Sequence, residues 1–261
     1  MSFPDAANIG PSEEDILANA EPIKPLPRIA EENPAPENLP PLDKAEAAVS
    51  EKPDDGAAQL QLAFVLYRAR AYADASRAFE RATALLPDDP TPLIYLGYTQ
   101  LAVGALNSAI ETYEKVLKLE EKGVSRDILS EAYLQIGNAQ GALGNLDKAR
   151  EAFSKSIGYN PKQGLASLAL GALAAEKGNL DQAKDFWTDA VTDLPKGRHQ
   201  AQAYASLGKL AEMQKDPKTA ATRYRKALTI DEENTWAKQG MERLAGDKKP
   251  ANAPKPADKQ G

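Results

Sequence analysis

The 261-residue chain has no cysteine, which removes disulfides, thiolate nucleophiles and cysteine-ligated metals and leaves the redox compartment open. Histidine occurs once, as His199, and aromatic residues make up only 6% of the chain. No run of eighteen apolar residues is present, and the first thirty residues lack the basic start and apolar core of a secretory signal. The expectation is therefore a cytoplasmic, soluble chain without membrane insertion. Positive charge is also short, with 32 Lys and Arg against 38 Asp and Glu, a formal net charge of -6. Such a balance argues against an extended phosphate-neutralising surface, and hence against nucleic acid as a partner.

What the chain does have is apolar residues at helical spacing, 42% of its composition, the balance of an alanine-rich helical protein. The charge is unevenly placed. Residues 1–55 hold thirteen acidic and four basic residues, net -9, and residues 246–261 hold two and four, net +2, so the middle is near +1. Prolines at 4, 11, 22, 25, 27, 34, 36, 40 and 41 interrupt every candidate helix in the leader, which is expected to be disordered over 1–41, like the Lys, Ala and Pro tail over 246–261. Two short features stand in the leader. "PIKPLPR" has Arg28 three residues after Pro25, which misses the usual polyproline-ligand spacing, and "SEEDILANA" carries a capping-box pattern from Ser12. The leader is expected either to recruit a second partner or to fold back into the groove, on the strength of its -9 charge and isolated apolar residues.

Between the termini, five columns recur at a near-constant period. Ala63, Gly97, Gly137, Gly171 and Gly208 form one column, with Ala75, Ala109, Ala149, Ala183 and Ala220 twelve residues later. Four residues further on stand Phe79, Tyr113, Phe153, Trp187 and Tyr224, then Ala82, Val116, Ser156, Ala190 and Ala227, while Leu62, Leu96, Ile136, Leu170 and Leu207 precede the first column. The starts step by 34, 40, 34 and 37 residues, with insertions at "EKGVSRDI" (121–128) and "KGRHQ" (196–200). "GALNSA", "GNLDKA" and "GNLDQA" mark the turn inside a unit, and Pro87, Pro161 and Pro195 close three of the second helices. Arg70 and Lys215 stand at that turn in units one and five. The glycines in "GNAQGALGNLDKAREAFSKSIGYNP" (137–161) then have a packing reason, although a helix-interior glycine costs about 1 kcal/mol against alanine. Gly137 lets the first helix approach the second at Ala149, Gly144 takes the turn, and Gly141 faces the neighbouring surface. A phosphate loop would need G-x-G-x-x-G or a Lys followed by Ser or Thr at a strand-to-helix junction, and neither is present.

These columns resemble the tetratricopeptide repeat family, helix-turn-helix units of 34 residues. The resemblance implies an all-α, right-handed α-solenoid, with five units at about 56–89, 90–129, 130–163, 164–200 and 201–234. A half-repeat helix is expected within 42–55, and a capping helix over 235–245, with Asn234 as its N-cap and Trp236, Gly240 or Met241 and Leu244 on one stripe. It also implies a concave face lined by the first helices. Carried over by spacing, the partner-binding candidates are Phe64, Tyr67, Tyr95, Tyr98, Leu134, Asn138, Leu168, Ala172 and Lys209. The other positions on that face are Leu60, Arg68, Ile94, Leu101, Gln135, Ala142, Ala169, Ser206 and Met213. The face grades from aromatic through small and apolar to polar, which suits an amphipathic helix or an extended apolar peptide. The clamp that some family members use for a chaperone carboxy-terminus is missing, since Leu134, Ala169, Gln202 and Ser206 stand where its residues would be.

No chemistry is expected. His199 sits in an inserted turn beside Arg198 and reads as a solvated loop residue, and acidic residues alternate with basic ones as on a solvated helix face. No metal or cofactor is called for. The expected function is a non-enzymatic scaffold, adaptor or assembly factor holding a protein or peptide partner. The alternatives are a self-associating homo-oligomeric repeat protein or an accessory subunit of an enzyme complex.

Overall fold

A computed structural model describes residues 34–246. The leader as far as residue 33, with its two short features, and the tail from residue 247 lie outside the described residues. Among the described residues the chain is all-α, with twelve α-helices and one 3-10 turn. The first helices of the five units are α2 (Gly56–Arg68), α4 (Pro90–Ala102), α6 (Arg126–Ala142), α8 (Gly164–Glu176) and α10 (Arg198–Met213). Their partners are α3 (Tyr72–Leu85), α5 (Leu106–Leu117), α7 (Leu146–Tyr159), α9 (Leu180–Asp193) and α11 (Pro217–Ile230), while α1 (Leu42–Glu51) precedes the stack and α12 (Thr235–Gly246) ends it. Each helix packs on the next in sequence, and α8 touches α10 and α10 touches α12 across unit boundaries. The first helices therefore share one face of the solenoid.

The glycine column works by aromatic contact. A Cβ on Gly97 would stand 2.4 Å from the Tyr113 ring, on Gly137 2.5 Å from Phe153, on Gly171 2.4 Å from Trp187 and on Gly208 2.7 Å from Tyr224. Gly137 thus makes room for the ring four residues beyond Ala149, and the approach expected at Ala149 is governed by Phe153. The reason is size. Alanines 75, 109, 149, 183 and 220 are fully buried without filling the space between the helices, whereas the rings do fill it. In unit one, Ala63 and Phe79 show that a methyl group is tolerated in this column; both are fully buried.

Left-handed residues turn each unit. Gly104, Gly144 and Gly178 have φ of 77 to 78°, and Arg70 and Lys215 take the same conformation at 60° and 59°. Helix starts are capped by side chains at Asp55, Asp89, Ser125 and Asp216, and Asn234 accepts from the Ala237 amide at 3.0 Å at the start of α12. There Gly240 also lies against Tyr224, at 2.3 Å from the ring for an added Cβ.

The insertions lengthen first helices. Helix α6 starts at Arg126, ahead of the boundary expected at 130, because Ser125 caps it and Arg126 donates to the carbonyls of Gly158 and Tyr159 at the end of α7. Helix α10 starts at Arg198, ahead of 201, and Gln200 donates to the carbonyls of Val191 and Leu194. His199 is consequently not on a solvated loop. It lies half-buried in the first turn of α10, and burial, then the Arg198 charge, pull its pKa down.

Two stability measurements follow. Gly137→Leu is expected to cost about 1–3 kcal/mol in urea denaturation by overpacking, and a double-mutant cycle with Phe153→Ala should recover part of it. Lys215→Gly should raise the melting temperature by about 2–4 °C, because a left-handed residue with a Cβ costs about 1 kcal/mol; an unchanged or lower value would contradict this.

Candidate functional site

Along the first-helix face the side chains fall into three stretches. At the N-terminal end α2 and α4 bring together a cluster of rings in which Tyr95 is the hub. Its ring centroid lies 4.7 Å from Phe64, 5.4 Å from Tyr67 and 5.5 Å from Tyr98, all edge-on, and 5.8 Å from Phe79 in a stacked arrangement. Phe64, Tyr67 and Tyr98 are 6%, 1% and 4% exposed. Of these four candidates only Tyr95 keeps partial exposure. The others are packed inside: Phe64 and Tyr67 lie against Phe79 of their own unit and Tyr95 of the next, and Tyr98 against Tyr113 and Glu131. Burial raises the Tyr67, Tyr95 and Tyr98 hydroxyl pKa values; for Tyr98 the Glu131 charge adds to the effect. All three remain hydrogen-bond donors at neutral pH.

The middle stretch is a polar ladder on α6. Tyr98 Oη donates to Glu131 Oε1 at 2.9 Å, Gln135 Nε2 donates to the same oxygen at 2.7 Å, and Asn138 Nδ2 donates to Gln135 Oε1 at 3.1 Å. Asn138 remains half-buried, whereas Leu134 is 1% exposed. Glu131 is the residue that the family spacing overlooked. Its signal was the polar stripe 131, 135, 138 on one helix, at separations of four and three. Beyond the ladder, α8 offers Leu168 and Ala169, half-buried, and Ala172, exposed. This part of the face is smooth.

The C-terminal stretch is ionic. Glu212 receives two hydrogen bonds from Arg243, at 2.9 and 3.0 Å, and one from Tyr224 Oη at 2.7 Å. Burial would raise the Glu212 pKa, but these donors outweigh it and hold the carboxyl below its usual value. Lys209 lies 5.6 Å over the Trp236 ring, and burial, then the Arg243 charge, lower its pKa. The nine candidates thus do not converge on one pocket: Tyr95, Asn138, Leu168, Ala172 and Lys209 keep exposure, whereas Phe64, Tyr67, Tyr98 and Leu134 are buried, Leu134 in the cluster with Ala149 and Phe153. Several acidic and basic residues elsewhere form exposed ion pairs, such as Glu151 with Lys155 at 2.7 Å. Among the described residues no three His, Asp or Glu side chains form a group able to hold a metal. No described helix is long and apolar enough to cross a membrane.

Paired helices with a shared inner column, repeated five times and closed by a terminal helix, define a helical-repeat solenoid. The tetratricopeptide repeat profile matches residues 60–123 and 134–197, and the chain belongs to the tetratricopeptide repeat family. Over 117 residues it is 30% identical to the photosystem I assembly protein Ycf3 of Prochlorococcus marinus (strain MIT 9211), which is 39% of this chain and 65% of that relative's length. Among solved structures, pilF of Pseudomonas aeruginosa is similar with a TM-score of 0.65 at 14% identity, over 88% of this chain and 97% of that one. YrrB, a tetratricopeptide repeat protein with an unusual peptide-binding site, is similar with a TM-score of 0.56 at 17% identity, over 77% of this chain and all of that one.

The ionic end has a definite pH response. A folded-state pKa held below the unfolded value makes the Glu212 contribution present at neutral pH and lost as pH falls through the folded value. Glu212→Gln is therefore expected to cost about 1 kcal/mol at pH 7, a figure kept small because the pair is partly solvated. The difference from wild type in urea midpoint should shrink towards zero as pH falls below the usual carboxylate range. A constant difference across that range would contradict the pairing.

Proposed function

We propose that the chain is a non-catalytic adaptor or assembly factor that holds a segment of a partner protein along the concave, first-helix face. The observation that carries this reading is the continuity of the face. It runs from the Tyr95 ring through the Glu131, Gln135 and Asn138 ladder and the smooth patch at Ala172 to Lys209 at the ionic end. A graded strip of this kind matches an extended segment or helix better than a small molecule, which needs an enclosed, mostly apolar pocket. The similarity to an assembly protein and to a peptide-binding repeat protein supports the same class of role. The partner itself is a protein or peptide distinguished by its ability to meet rings at one end and charges at the other.

Ala172→Arg tests the reading with little risk to the fold, because Ala172 is exposed and arginine is a good helix former. The full chain and the variant, matched by circular dichroism and melting temperature, are used to capture partners from native lysate. Loss of a specific partner by at least about ten-fold in affinity, or about 1.4 kcal/mol, is expected from a long charged side chain placed in the strip. Equal capture by both proteins would move the binding site off this face.

A further inference from the structure

The N-terminal end of the first-helix face is already covered, by the chain itself. Residues 34–40 run without helix before α1 and lie across α2 as far as α4. The Tyr95 hydroxyl donates to the Pro34 carbonyl at 3.0 Å, and the Arg68 guanidinium donates to the Glu37 carbonyl at 3.4 Å. Ala35 and Leu39 are half-buried against the apolar cluster that contains the rings. A leader that is wholly solvated would make none of these contacts. Both donors reach main-chain carbonyls, so what they read is a backbone, and the side chains that dock are small or aliphatic. Prolines at 34, 36, 40 and 41 explain why so short a segment can stay in place. A proline-rich chain has little conformational freedom to lose on docking, and Ala35, ahead of Pro36, is biased towards extended geometry.

We propose that the segment from Pro34 to Leu39 is a built-in occupant of the aromatic end of the face, and that this end takes an extended, proline-bearing peptide in its place. The proposal rests on the adaptor reading and makes it more specific. A ligand that uses Tyr95 and Arg68 must first displace the strap, so its apparent affinity is lowered by the fraction of chains in which the strap is closed. Because the strap is tethered, it acts at a high effective concentration even with few contacts, among the described residues the hydrogen bonds from Tyr95 and Arg68 and the packing of Ala35 and Leu39. A partner peptide with better apolar side chains at the two docking positions would open it.

The test uses the full chain and a fluorescein-labelled synthetic peptide with the sequence of residues 30–41, AEENPAPENLPP, followed by fluorescence anisotropy. The double substitution Ala35→Asp and Leu39→Asp removes the apolar docking of the strap without touching a repeat helix. Its chain is expected to bind the peptide at least about ten-fold more tightly than the wild type. Adding Tyr95→Phe, which keeps the ring and removes the donor, should weaken that binding several-fold. Cleavage after Glu37 by a glutamate-specific protease gives a readout independent of any ligand, and should be faster in the double variant than in wild type. Equal peptide affinities in wild type and double variant, no binding in either up to about 1 mM, or equal cleavage rates would each overturn the proposal. A partner lost by Ala172→Arg while the strap assays fail would sink the strap alone. Working strap assays with equal partner capture would instead sink the longer groove.

Discussion

Units two to five depend on a ring laid against a bare stretch of backbone. The contact needs a large flat group on the second helix and at most a methyl group on the first, as at Ala63 in unit one, which is why an otherwise unfavourable glycine recurs in the middle of α4, α6, α8 and α10. Packing of this density transmits changes in spacing, because there is no void to absorb them. Two of the rings carry a polar atom into that contact, Tyr113 Oη and Trp187 Nε1, and both are buried without a hydrogen-bond partner among the described residues. Shape complementarity therefore outweighs polar satisfaction in the inner column.

The outer edge of the same helices is governed by polar pairing. Tyr98, Glu131, Gln135 and Asn138 link units two and three, and Glu212, Arg243 and Tyr224 link the last unit to α12. Only the Tyr98 to Glu131 bond crosses from unit two to unit three, the Gln135 and Asn138 bonds lying within α6, while Arg126 and Gln200 tie first helices to second helices. A ligand lying there would contact the groups that also hold the units in register. If partners bind as proposed, binding and rigidity would be coupled for that reason, in line with the nearest-neighbour energetics of repeat arrays.

The unit period, the turn positions and the terminal cap were legible because each is written locally. A glycine or a left-handed turn residue must stand at a fixed distance from its ring, and Asn234 must precede α12. The face was legible only in outline. Phe64, Tyr67 and Tyr98 lie on the stripe that the spacing marks, yet neighbouring units close over them, and this depends on contacts between residues some thirty positions apart, such as Tyr98 with Glu131. The strap was not readable in detail for the same reason. Its prolines argue against helix, but nothing local announces that Pro34 will meet Tyr95, 61 residues away. His199 was misread because an insertion that looks like loop was in fact an added turn of helix.

The first helices all stop at the same level, five residues after the column at 63, 97, 137, 171 and 208: Arg68, Ala102, Ala142, Glu176 and Met213. Their differences in length therefore lie wholly at their beginnings. With 17 and 16 residues against 13, α6 and α10 project beyond α8 by roughly 5–6 Å at a rise of about 1.5 Å per residue. The margin of the solenoid is thus crenellated, with a recess over unit four between two raised posts. Helices α2 and α4 have 13 residues as well, so under the proposed binding mode a guest chain would find the margin low at units one, two and four and raised at units three and five.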